Sequence, residues 1–117
     1  MLKKLSAFII TLAFPAIAHA STTVNYPSPC KYFDKSGTLR AATTCQINFG
    51  TLSARGGTRF IVTFPDRAEV VIYMGTDGKV EANRVPSQAA IAGGNVVIAT
   101  NEGEIFIFKP YKQKPYK

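Results

Sequence analysis

Two carboxylate pairs stand close enough along the chain to suggest acid–base chemistry: Asp66 with Glu69, and Glu102 with Glu104. Such a pair flanking a glycosidic bond could cleave it, one group protonating the leaving oxygen while the other attacks or activates water. Turn formation accounts for both pairs more simply, since Asp66 follows Pro65 and Glu102 precedes Gly103. A serine or cysteine nucleophile would need a base, most often histidine, and the single histidine is His19. Asp77-Gly78-Lys79-Val80-Glu81 sets two carboxylates around a glycine without the alternating oxygen ligands of a calcium loop. Arg55-Gly56-Gly57-Thr58-Arg59 has glycines and guanidinium groups but no strand-to-helix setting for a phosphate loop. It reads as a hairpin turn whose arginines face solvent, or as a corner for a carboxylate or phosphate. The residue types therefore point to binding, with no catalytic set, no cofactor and no metal.

Cys30 and Cys45 are the only cysteines. A zinc site would need further ligands, and a redox pair would want its sulfurs two residues apart at a helix start, so a structural disulfide between them is expected. That fits an oxidising compartment, and the first residues point the same way. Lys3 and Lys4 precede an apolar run from Leu5 to Ile17, and Ala18-His19-Ala20 supplies small residues where an exporting peptidase cuts. Leu5 to Ala18, interrupted by Pro15, is shorter than the roughly 20 apolar residues of a spanning helix. Residues 1–20 thus read as a cleaved signal peptide, and the product as a periplasmic or secreted bacterial protein. Cleavage would remove Lys3, Lys4 and His19.

The 117 residues suit one domain, and nine glycines and seven prolines with no tryptophan and two cysteines exclude a coiled coil and a cysteine-dense knottin. From Ser21 to Pro29 the chain reads as an extended lead-in with little core. Cys30–Phe33 and Thr44–Phe49 read as strands around the turn Asp34-Lys35-Ser36-Gly37, which makes the two cysteines neighbours. Further strands are expected over Thr58–Phe64, Arg67–Met74, Lys79–Val85, Val96–Thr100 and Ile105–Lys109, with Ser87–Ala92 either a helical turn or a strand. Turn signals recur about every 8–12 residues, and connections so short make neighbours antiparallel. The expectation is an all-β fold, a small antiparallel sandwich or barrel of about seven short strands over residues 21–108. Four segments are apolar at consecutive positions: Phe60-Ile61-Val62, Val70–Tyr73, Val96-Val97-Ile98 and Ile105–Phe108. Either the sheet closes on itself, or one apolar face meets a protein partner or a second copy.

Of the 14 basic residues, Lys109, Lys112, Lys114 and Lys117 lie in the final stretch, where Lys109-Pro110-Tyr111-Lys112 recurs as Lys114-Pro115-Tyr116-Lys117. The prolines favour an extended course, so residues 109–117 read as a flexible tail that projects from the fold. Because the positive charge sits there and not on a face of the domain, nucleic acid is not an expected partner. Two functions remain. The favoured one is a non-catalytic protein-interaction module of the cell envelope, of inhibitor, immunity or secretion-accessory type, meeting another envelope or secreted protein through Arg55, Arg59, Phe60 and Tyr73. The alternative is a binder of anionic polymers or membrane surfaces acting through Lys109, Tyr111, Lys112, Lys114, Tyr116 and Lys117.

Overall fold

The computed structural model describes residues 23–52 and 56–112. They form eight strands: β1 (Thr23–Phe33), β2 (Leu39–Thr51), β3 (Thr58–Thr63), β4 (Glu69–Met74), β5 (Val80–Ala82), β6 (Val85–Ala92), β7 (Asn95–Thr100) and β8 (Ile105–Phe108). Each pairs antiparallel with the next, and β1 pairs with β8, so the sheet closes into an up-and-down barrel. The all-β reading holds, with eight strands where about seven are expected.

The eighth strand is β6, which takes in Ser87–Ala92 and starts from a turn without glycine. Asn83 and Arg84 both adopt positive φ, 48° and 70°, and split the expected Lys79–Val85 strand into β5 and the start of β6. Asn83 tolerates this conformation because its side chain finds a local partner. Its Oδ1 accepts the Val71 amide at 2.9 Å, while its own amide donates to the Val71 carbonyl at 2.8 Å. The segment Ser87–Ala92, open between helix and strand in the sequence, belongs to β6 and pairs with β7 across Gly93-Gly94, whose φ values of 60° and 77° suit a two-residue hairpin turn.

The lead-in carries more structure than its composition suggests. β1 runs from Thr23 and pairs with β2 along its whole length, through Pro27 and Pro29. Both prolines fall in the half of β1 that has no strand on its other side, since pairing with β8 begins at Cys30; there a missing amide costs no ladder bond.

An eight-stranded barrel leaves an interior that side chains can just fill. Ile47, Val62, Ile72, Ile98 and Phe108 are fully buried there, with Phe60, Val70, Ala82, Val96 and Phe106 around them. Along β4, Val70 and Ile72 point inward while Val71 is 39% exposed, so the consecutive apolar run conceals an ordinary alternation. Most outward apolar residues are half-buried by cross-strand neighbours on the wall, Ile61 beside Val71, Val97 beside Ile107 and Ala99 beside Ile105. Lys31, Arg59, Glu69 and Glu81 share that outer surface, so the wall is the reverse of a lipid-facing barrel, which is apolar outside and polar within.

Cys30 and Cys45 are bonded, with Cα atoms 5.9 Å apart. They are diagonal rather than opposed, Cys30 standing across from Thr43 and Cys45 from Ser28. Both sulfurs belong to the core. Cys30 is also the first residue of β1 to pair with β8, opposite Phe108, so the bridge ties β2 to the seam where the barrel closes.

Candidate functional site

Closure sorts the loops into two groups at opposite ends. One end collects 34–38, 64–68, 83–84 and 101–104; the other collects the β2–β3 connection, 75–79, 93–94 and the chain beyond Phe108. Five of the seven acidic residues, Asp34, Asp66, Glu69, Glu102 and Glu104, lie at the first end. Lys79, Lys109 and Lys112 lie at the second. Lys35, Arg40, Arg67 and Arg84 share the first end with those carboxylates, so its acidic excess is a single charge.

The acidic end opens into a mouth of about 360 Å³. Its floor is apolar, made by Phe64, Val70 and Phe106, and its rim carries Tyr32, Arg40, Asp66, Asn83 and Glu104. A concave apolar surface with a few fixed polar groups is the usual form of a binding site. Tyr32 stacks on Phe106 with ring centroids 5.0 Å apart and donates its hydroxyl to Glu104 Oε2 at 2.6 Å. Alternation puts each of these residues in place: Tyr32 is two beyond the inward Cys30, and Glu104 two before the inward Phe106.

The loops around the mouth are held by their own hydrogen bonds. Asp34 Oδ1 accepts from the Ser36 amide at 2.9 Å, the Ser36 hydroxyl at 2.6 Å and the Thr38 amide at 3.1 Å, and Oδ2 accepts from Arg40 Nε at 2.5 Å. The Ser36 hydroxyl and the Arg40 guanidinium hold the Asp34 carboxyl well below the usual carboxylate range. Thr100 Oγ1 accepts from the amides of Glu102 and Glu104 at 3.3 and 3.0 Å, and Asp66 Oδ1 from the Ala68 amide at 2.9 Å. Lys35 and Glu102 form an exposed pair at 3.4 Å that adds little stability. Arg67 and Arg84 both hold positive φ, 74° and 70°, a strained conformation for a side chain of that size.

The carboxylates that sequence spacing pairs are thus kept apart in role. Glu102 meets Lys35 and Glu104 meets Tyr32; Asp66 caps its turn, and Glu69 lies on the outer wall. What the fold unites instead is Asp66 and Glu104, on the rim of one mouth.

The Glu104 hydrogen bond, and to a lesser degree burial, pushes the Tyr32 phenol up to about 12 from 10.0; burial alone does the same for Tyr26. A raised phenol value means that folding favours the protonated ring. This contribution to stability is complete below the unfolded value of 10.0 and is lost as the pH rises through about 12. In a phenolate-absorbance titration of the folded protein, Tyr32→Phe is expected to remove one late-titrating ring, and Glu104→Gln to return Tyr32 toward 10.0. An unchanged late titration in Glu104→Gln would show that the carboxylate does not hold the proton.

At the basic end, the chain after Phe108 stays on the barrel for at least three residues. The Lys109 amide donates to the buried Ser28 Oγ at 2.8 Å, and the Tyr26 hydroxyl donates to the Lys109 carbonyl at 2.8 Å. The Tyr111 ring lies 5.6 Å from Tyr26 and 6.0 Å from Phe49. A groove of about 640 Å³ follows this segment between β1 and the Gly93-Gly94 turn, lined by Tyr26, Pro27, Gly94, Pro110, Tyr111 and the two lysines. The first copy of the Lys-Pro-Tyr-Lys repeat is therefore seated. Lys114, Tyr116 and Lys117 lie outside the described residues, as do Arg55 and residues 1–20.

The remaining expected contact residues fall on different sides of the wall. Phe60 is 5% exposed and points into the core, between Phe49 and Phe108 at 4.9 and 5.1 Å, so it has no face for a partner. This corrects its assignment as a binding residue: in a closed barrel, the inner face of β3 is the core. Tyr73 and Arg59 are register neighbours on the outer wall. Tyr73 donates to the Gly56 carbonyl at 3.3 Å, and Arg59 reaches Asn48 Oδ1 at 3.5 Å while its Nε is buried without a partner. Tyr32, Arg40 and Asn83, which sequence reasoning did not single out, become visible only once the ends of β1, β2 and β5 are gathered into one rim.

Fold and mouth together define the class: a small disulfide-linked up-and-down barrel with a polar-rimmed apolar opening at its acidic end. Compared with known families, curated proteins and solved structures, the chain matches none of them.

Proposed function

We propose that this is an exported, non-catalytic binding module of the bacterial cell envelope, and that a protein partner places a basic side chain in the acidic mouth. The observation that carries the reading is the mouth itself, where Tyr32, Arg40 and Glu104 are fixed by hydrogen bonds around an apolar floor. Such a site suits the stem and head of an arginine or lysine: the floor covers the methylenes while Glu104 and Asp66 meet the charge. Buried anchors of this kind dominate the energy of protein interfaces. The disulfide is compatible with export, and the leader-like residues 1–20 support it.

A second reading rests on the opposite end. Seating Tyr111 against Tyr26 and Phe49 presents Lys109 and Lys112 at the end of the barrel that also carries Lys79, a basic end suited to an anionic polymer or lipid surface.

One experiment separates the two. The protein, its Tyr32→Ala/Glu104→Gln variant and a form ending at Phe108 are used to capture partners from the envelope fraction at low and high salt. A single stoichiometric protein kept at high salt by the shortened form, and bound at least tenfold more weakly by the mouth variant, is the expected result. Retention that needs residues 109–117 and vanishes as salt rises would give the function to the basic end instead.

A further inference from the structure

Strand β6 has an unpaired edge. β5 covers only Val85–Ser87, while β6 continues to Ala92 with β7 on one side. Among the described residues, no strand or hydrogen bond meets the other side of Gln88–Ala92. The direction of the free groups follows from the ladder. Pro86 aims its carbonyl at β7, where it accepts the Asn101 amide at 2.8 Å. Main-chain groups alternate along an antiparallel strand, so Gln88, Ala90 and Ala92 bond to β7, while the N–H and C=O of Ala89 and Ile91 point outward from the edge.

Natural edges are usually blunted by charge, proline, a bulge or a cover. This one has none of them between Gln88 and Ala92. From Val85 to Asn101 no side chain is charged, in a chain whose formal net charge is +7. All five edge residues are exposed, Ile91 at 69%. The β6–β7 arm carries no charge of its own, so two copies can approach there without like-charge repulsion.

We infer that Gln88–Ala92 is a self-association edge, at which β6 of two copies pairs antiparallel about a two-fold axis at Ala90. In this register Ala89 of each copy faces Ile91 of the other, and these are the residues whose main-chain groups point outward, so both form hydrogen-bonded pairs. The large Ile91 side chain meets the small Ala89, and Ala90 meets its own counterpart in a closely spaced pair without hydrogen bonds. Because the axis is two-fold, the contact closes at a dimer and uses up both edges. The inference is independent of the acidic mouth, which lies at the other end of the barrel.

Sedimentation of the purified protein over a concentration series is expected to show a monomer–dimer equilibrium. Ala90→Lys, which sets two ammonium groups against each other on the axis, should weaken the dimer at least tenfold with an unchanged circular dichroism spectrum. Gln46→Lys, the same charge on the outer wall of β2, should leave it intact. The described chain has no free cysteine, so introduced thiols report the register directly. Ala90→Cys should give a covalent dimer on mild oxidation, whereas Ala92→Cys, which faces Gln88, should give far less. A protein that stays monomeric up to millimolar concentration would overturn the inference and leave the edge to a foreign strand; equal cross-linking by the two cysteine variants would overturn the register.

Discussion

Replacing Cys30 and Cys45 together by alanine is expected to cost about 3 kcal/mol of stability, the chain-entropy value for a loop of this length. The two residues are 15 apart, and both sulfurs lie in the core, 3% and 0% exposed, so lost packing adds to the lost constraint. For a domain of this size, each kcal/mol lowers the melting temperature by roughly 4–8 °C, which places the fall at about 15 °C or more. The position of the bridge gives the effect a structural form. Cys30 opposes Phe108 at the β1–β8 seam, and the chain before it carries Ser28 and Tyr26, the hydrogen-bond partners of the Lys109 segment. Loosening of that seam should appear first as rapid amide exchange at Ile105 and Ile107, whose main-chain groups alternate toward β1. Thermal unfolding followed by circular dichroism, with and without reductant, measures the shift. A change under about 1 kcal/mol would show that the hairpin and core suffice without the bridge.

Gly57→Ala is expected to be comparably damaging, by about 3 kcal/mol, for a steric reason unrelated to the core. Gly57 has φ of +90°, and a Cβ there would collide with the Met74 carbonyl oxygen and press on Gly75 Cα at 3.1 Å. Those atoms are backbone at the end of β4, so no side-chain rotation relieves the contact. Gly37→Ala separates the two contributions. Its φ of +85° is similarly unfavourable, but nothing lies within 4 Å of a Cβ at that site, so only the conformational cost, about 1 kcal/mol, remains. Equal destabilisation in the two variants would show that the β2–β3 connection moves away freely and does not brace β4. The comparison bears on function because the Gly56 carbonyl accepts from Tyr73, which couples that connection to the outer wall beside Arg59.

The proposed mouth and the proposed dimer edge use different products of barrel closure. Closure brings four loops of mixed charge around one opening, and it leaves the longest uncharged arm extending past its neighbour β5. A dimer built on β6 would carry two mouths on separate barrels. Such a molecule binds a repetitive envelope component or a dimeric partner more tightly than either mouth alone, when the spacing of the two matches.

The amino-acid sequence by itself determined the β class, because its apolar runs are short, rich in branched and aromatic residues and cut by turn formers whose preferences are local. It determined the disulfide by elimination, with two cysteines in the chain and neither a ligand set nor a redox spacing around them. It placed the Gly75–Gly78 and Gly93-Gly94 turns, since a demand for positive φ is readable in glycine. It did not reveal the turn at Asn83-Arg84, which depends on a side-chain bond to Val71 in the adjacent strand. Nor could it assign faces within Phe60-Ile61-Val62 or Val70–Tyr73, because an unbroken apolar run has no visible period. Only the tertiary structure decided that the sheet closes, through pairing of β1 with β8 across most of the chain. That closure turned Phe60 inward, brought Tyr32 to Glu104 from 72 positions away, seated Tyr111 on Tyr26, and gathered five of the seven carboxylates at one end. The physical reason is that the register of the closing pair depends on every intervening hairpin at once, whereas each strand and turn is specified by the few residues within it.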